Sequence, residues 1–182
     1  MRRLISKPEG HAGIFFIVVF VVMSLVSIRA SAGPELDTVH YIVSGQGTTI
    51  SSLKLDLGYK LDDINNLDLL GVYNGEDIKM QGTWNIRFLK RSLYSLQLGL
   101  SLTTGLNESG FGKAIGLSGE GIYLVQNRYF WNIDYFIDEK AWVYGAGLGL
   151  PVTPDTFLTL GVGNSYWDRN DINLNIGIKV DL

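Results

Sequence analysis

The sequence has no cysteine, two histidines and four prolines among 182 residues. Without cysteine, disulfide scaffolds, thiol redox chemistry and thiolate metal centres are all excluded. One of the two histidines lies in the first 32 residues, so His40 is the sole imidazole of the remaining chain. Charge is scarce, at 18% of residues, and unevenly placed. Arg2, Arg3, Lys7 and Arg29 precede residue 33 against Glu9 alone, and the remainder keeps 11 basic and 17 acidic residues, a formal charge of −6. Such a surface lacks the clustered Lys and Arg that a phosphate backbone requires, so nucleic acid is not an expected partner. Helical periodicity is missing as well, since no stretch sustains apolar spacings of three and four.

What is present begins with an address. Residues 2–7 are basic, residues 14–26 read IFFIVVFVVMSLV without a charge, and Ala30-Ser31-Ala32 offers small residues for a signal peptidase. The pattern predicts a cleaved secretory signal peptide over 1–32 and a mature chain from Gly33; an uncleaved anchor helix over 12–28 is the alternative. Residues 33–47 read as an N-terminal arm, and 48–182 as one β-domain.

Within 48–182 apolar residues alternate with polar ones, the period of strands with one apolar face. Leu53, Leu55, Leu57, Tyr59 and Leu61 alternate with Ser52, Lys54, Asp56, Gly58 and Lys60. The rhythm returns over residues 78–88, 94–102, 115–125, 129–137, 142–150, 158–166 and 172–182. Links at 90–92, 126–128 and 152–156 are tight, whereas 62–77 and 104–114 are longer and rich in Gly, Asn and acidic residues. Short turns at one end and longer loops at the other describe an outer-membrane barrel. The expectation is therefore all-β: an eight-stranded antiparallel up-and-down transmembrane β-barrel. If residues 67–73 and 38–43 are also strands, the count becomes ten.

A soluble ligand-binding barrel alternates too, with its apolar face turned inward. Against it stand strands long enough to cross roughly 25 Å when tilted. The polar face is also rich in small groups such as Gly145, Gly147, Gly149, Gly161 and Gly163. Aromatics gather in two bands: Phe88, Tyr94, Tyr123, Tyr129 and Trp131 at the short-turn end, and Tyr59, Tyr135, Trp142, Tyr144 and Tyr166 at the loop end. Tyr and Trp settle at lipid headgroup level. Trp84, near mid-strand, is the exception.

Residues 142–166, WVYGAGLGLPVTPDTFLTLGVGNSY, and the terminus NIGIKVDL resemble the penultimate hairpin and assembly signal of the small eight-stranded outer-membrane proteins of the OmpX and OmpA barrel type. The resemblance implies residence in the outer membrane, delivery by the secretion and barrel-assembly machinery, contact with outer-membrane lipid and lipopolysaccharide, and a monomer. It implies no catalytic residue.

The search for chemistry agrees. His40 with Ser44 and Asp37 or Glu35 would make a serine-hydrolase set, the arrangement a lipid A-modifying barrel needs. No partner spacing is diagnostic, so no catalytic, cofactor-binding or metal-binding residue is assigned and no cofactor is expected. Asp62, Asp63, Asp68, Glu76 and Asp77 make the first loop acidic, without the spacing of a cation-binding motif. Lys54, Asp56, Lys60, Lys79, Arg87, Glu120, Asp134, Lys179 and Asp181 fall on the polar face, which predicts paired charges inside a lumen that eight strands would leave filled. The functional expectation is a non-enzymatic envelope-integrity or surface-binding protein. Its loops over 62–77 and 104–114 would meet an extracellular ligand or host surface. The alternatives are the lipid A-modifying enzyme and a secreted soluble barrel carrying an apolar ligand.

Overall fold

A computed structural model of the chain describes residues 35–46, 49–75, 77–105, 111–124, 126–165 and 168–182. The leader expected over 1–32 lies outside them. The strands are β1 (Glu35–Gln46), β2 (Thr49–Lys60), β3 (Asn65–Tyr73), β4 (Ile78–Lys90), β5 (Tyr94–Gly105), β6 (Gly112–Tyr123), β7 (Asn127–Phe136), β8 (Ala141–Thr153), β9 (Thr156–Ser165) and β10 (Asp168–Asp181). Each pairs antiparallel with its neighbours in sequence, and β1 pairs with β10 to close the barrel.

The expected count of eight is thus corrected to ten. Residues 67–73 belong to β3, which is laddered on both sides, Leu57 to Leu69 and Leu67 to Trp84. Residues 38–43 belong to β1, which holds Tyr41 opposite both Leu55 and Ile178. Both strands escaped the alternation because some of their inward positions are apolar. Ile42, Leu70 and Val72 line the lumen, so TVHYIV and LDLLGVY read as runs instead of alternating stripes.

Three further expectations change with the count. The acidic loop over 62–77 does not exist as a loop. It is a turn at 61–64, a strand and a second turn at 74–77, at opposite ends of the barrel. The direction of residues 49–60 also reverses, which moves Tyr59 to the end where Glu35 and Leu182 lie, here called the terminus end. The segment read as an arm, 33–47, contributes β1.

The barrel is inverted relative to a water-soluble one. Leu174 is 56% exposed on the outside while Ser44, inside, keeps 1% of its surface. A continuous outer coat of Leu, Ile and Val far exceeds the apolar patches that soluble proteins expose; its solvent is hydrocarbon. Tyr94, Tyr123 and Tyr129 mark the terminus end, and Tyr73, Tyr135 and Trp142 the far end. Tyr166 lies outside the described residues. Trp84 remains the exception, at the middle of β4 opposite Leu100, and its indole donates to Asn65 Oδ1 at 3.2 Å at the start of β3.

Candidate functional site

The lumen is the candidate site, because the alternation that turns apolar residues to the outer face sends the polar ones inward from every strand. Two unlike walls enclose it. From β1 to β4, and from β10, come His40, Lys54, Asp56, Asp68, Arg87 and Lys179. From β8 and β9 come Gly145, Gly147, Gly149, Gly161 and Gly163, with Gly145 opposite Gly163 and Gly147 opposite Gly161. The glycines are there for close approach: a Cβ on Gly147 would meet the Phe130 ring from β7 and stand 2.7 Å from the Leu160 carbonyl.

Hydrogen bonds fix the polar wall. His40 Nε2 lies 2.7 Å from Thr159 Oγ1, and the imidazole meets the Phe130 ring edge-on at 6.2 Å between centroids. Asn85 donates to Asp68 Oδ2, Asn132 Nδ2 donates to Asp134 Oδ2 at 2.8 Å, and Thr83 and Ser101 share a hydrogen bond of 2.9 Å. Nearer the terminus end Arg128 Nη1 meets Asp181 Oδ2 at 2.6 Å, with its guanidinium 4.1 Å above the Phe157 ring. Lys179 stands 3.7 Å from Glu120 and 3.9 Å from Asp181. Asp56 Oδ1 is buried without a hydrogen-bond partner among the described residues.

Ten strands enclose more space than eight, since barrel diameter grows with strand number. A cavity of about 270 Å³ fills the half of the lumen toward the far end, among Lys54, Gln81, Ser118, Asn132 and Gly163. A second, of about 260 Å³, lies toward the terminus end among Asp37, Arg87, Glu120, Arg128 and Asp181. His40, Asp56 and Asp68 line both, so the two meet at that layer.

The residues singled out from sequence fare unequally. Of the inward charges, Lys179 meets Glu120 across the lumen and Asp181 beside it on β10, while Lys60 turns to Asp63 at 3.3 Å on the rim. Arg128 and Asp68 were missed: one reads as part of a turn and the other as part of an acidic loop until the extra strand is recognised. His40 and Ser44 both point inward from β1, but four residues of strand separate them by about 13 Å. His40 bonds Thr159 and Ser44 donates to Asn175, so the two do not form a nucleophile–base pair. Asp37 lines the terminus-end cavity, and Glu35 pairs in register with Lys60. The acidic group disperses. Asp62 and Asp63 stay in the first turn, Asp68 enters the lumen, Asp77 goes to the opposite end, and Glu76 lies outside the described residues. Asp62 accepts from the Asn65 side chain and from the Ile64 and Asn65 amides, and these bonds hold its carboxyl below the ordinary range. Among the described residues no group of three or more His, Asp or Glu is placed to hold a metal ion.

The chain matches no known family profile and no curated protein. Solved structures do match it. The KdgM porin aligns with a TM-score of 0.54 and 10% identity over 80% of this chain and 99% of its own. The same porin in complex with disordered oligogalacturonate aligns with a TM-score of 0.54 and 11% identity, again over 80% of this chain and 99% of its own. At such identities the likeness speaks for architecture, and the architecture of this chain is that of an outer-membrane β-barrel.

Proposed function

We propose that this chain is a non-enzymatic outer-membrane protein whose lumen gives small polar solutes a narrow, hydrated path across the membrane. The observation that carries the reading is the pair of cavities, one above the other in the lumen, that share His40, Asp56 and Asp68 in their linings. The connections favour it over loop-based adhesion. With the 62–77 segment resolved into a strand, every described connection is a turn of a few residues, and recognition at a barrel rim usually uses longer loops.

The charges suggest which solutes pass. Lys54, Arg87, Arg128 and Lys179 face Asp37, Asp56, Asp68, Glu120, Asp134 and Asp181, so both signs are interspersed and the positive one is in the minority. A polyanion such as the oligogalacturonate bound by the KdgM porin needs a net positive track; mixed signs suit neutral or zwitterionic solutes.

Planar-bilayer recording and liposome swelling test this. The expected result is a small steady conductance and uptake of sugars of monosaccharide size but not of trisaccharides, both reduced by Ser118→Trp, which fills the larger cavity from its wall. Absence of conductance and of solute uptake by a folded barrel would overturn the channel and leave an envelope-integrity role.

A further inference from the structure

A third cavity, of about 250 Å³, lies at the terminus mouth beside the turn between β4 and β5, where it is lined by Arg87, Lys90, Arg91, Ser95, Glu120 and Arg128. A bulge in β4 builds it. Arg87 and Lys90 are three residues apart and would point to opposite faces of a regular strand. The register shift between Arg87 and Leu89 turns both to the inner side, with Lys90 opposite Ser95 and Ser95 opposite Glu120. Bulges of this kind re-aim side chains next to sites.

The pocket holds more positive charge than the fold uses. Asp181 engages Arg128 at 2.6 Å, and Glu120 faces Lys179 at 3.7 Å. Arg87, Lys90 and Arg91 have no carboxylate partner among the described residues, and Arg87 reaches only the Asp63 carbonyl at 3.5 Å and the Asn66 side-chain amide. Two donors are also orphaned: Arg87 Nε and the hydroxyl of Ser95, a residue more than nine-tenths buried, have no hydrogen-bond partner there. Buried donors without acceptors are costly, and an oxyanion with several lone pairs is the partner that cations and donors together fit. Exposed Leu93, Tyr94 and Ile122 border the pocket on its lipid side.

We propose that this pocket binds a phosphate-type oxyanion, either free or as the headgroup of an anionic phospholipid whose chains lie against Leu93 and Tyr94. Arg87 and Lys90 supply the charge and Ser95 a neutral donor. The site shares Arg87, Glu120 and Arg128 with the terminus-end half of the solute path and adds Lys90, Arg91 and Ser95, and its test does not depend on conductance.

The test is calorimetric titration of inorganic phosphate into the full chain folded in a zwitterionic detergent. A parallel measurement assembles the chain in phosphatidylcholine nanodiscs with or without phosphatidylglycerol. Saturable phosphate binding is expected, weakened at least tenfold by Arg87→Gln with Lys90→Gln and several-fold by Ser95→Ala, and unchanged by Lys113→Gln on the outer face near the opposite end. Lys90→Gln with Arg91→Gln, confined to the exposed turn side, keeps the result readable if the first pair misfolds. Phosphatidylglycerol that blocks phosphate identifies the headgroup as occupant; phosphatidylglycerol that does not identifies the free anion. Absence of saturable binding to either probe, or an equal loss with Lys113→Gln, overturns the site.

Discussion

The two walls of the lumen solve the problem of an enclosed interior in opposite ways. The wall from β1 to β4 and β10 sends in long charged side chains that find partners across the barrel, as Lys179 does with Glu120. The wall of β8 and β9 sends in Phe157 and Thr159 near the terminus end and glycines beyond them, which let Phe130 and the larger cavity occupy the space. The difference teaches that a small barrel keeps open space inside when one side withdraws. Two walls of long side chains would fill the bore.

The largest effects should ignore this difference, because both walls turn the same apolar back to lipid. Ile176→Arg, behind the charged wall, and Leu148→Arg, behind the glycine wall, should each cost roughly 2–4 kcal/mol in urea titrations of the barrel in vesicles. A twofold or larger disparity would show that the inner faces govern insertion. Next in size is a contrast within the glycine wall. Gly147→Ala meets the Phe130 ring and the Leu160 carbonyl at 2.7 Å and should cost about 2–3 kcal/mol. Gly149→Ala, whose Cβ would find its nearest neighbours at 3.5 Å or beyond, should change stability by less than about 0.5 kcal/mol. Equal tolerance of the two on heat-modifiable gels would mean the wall is looser than its geometry.

On the charged wall Lys179→Met should cost about 1 kcal/mol. Its partners stand at 3.7 and 3.9 Å and keep some contact with solvent, and Arg128 still holds Asp181. The smallest effect belongs to Asp62 on the rim. Its carboxyl is held below the ordinary range, so the turn's stabilisation is present above that range and fades as acid takes the pH down through the lowered value. Hydrogen exchange of the Ile64 and Asn65 amides should accelerate in Asp62→Ala at neutral pH, and in the wild type, relative to a loop control, only in strong acid. Protection that is indifferent to both would remove Asp62 from the turn.

Sequence made the outer face legible residue by residue, since lipid demands an apolar side chain at every second position and tolerates few exceptions. Leu98, Leu100 and Leu102 could be placed without coordinates, and the structure leaves them outside. The lumen imposes no such rule. An inward residue needs only to fit, so Ile42, Leu70 and Val72 sit there as readily as Asp56, and they concealed two strands. The partners of Arg128 and Lys179 were illegible for a related reason. They come from β10 and β6, and closure and shear decide which residues share a level.

The seam between β1 and β10 sets the order in which this molecule can be finished. Val39 pairs with Val180, so the first described strand waits for the last residues of the chain before its outer hydrogen bonds are satisfied. Neighbouring hairpins can form as they are delivered, but the seam joins positions some 140 residues apart, the slowest kind of contact to make. Until it forms, two strand edges lie open in hydrocarbon, where unpaired amides have no water to turn to. A chain cut before Asp168 would keep nine strands and an edge it cannot close. Premature truncation should therefore give aggregates or degradation products, not a smaller barrel.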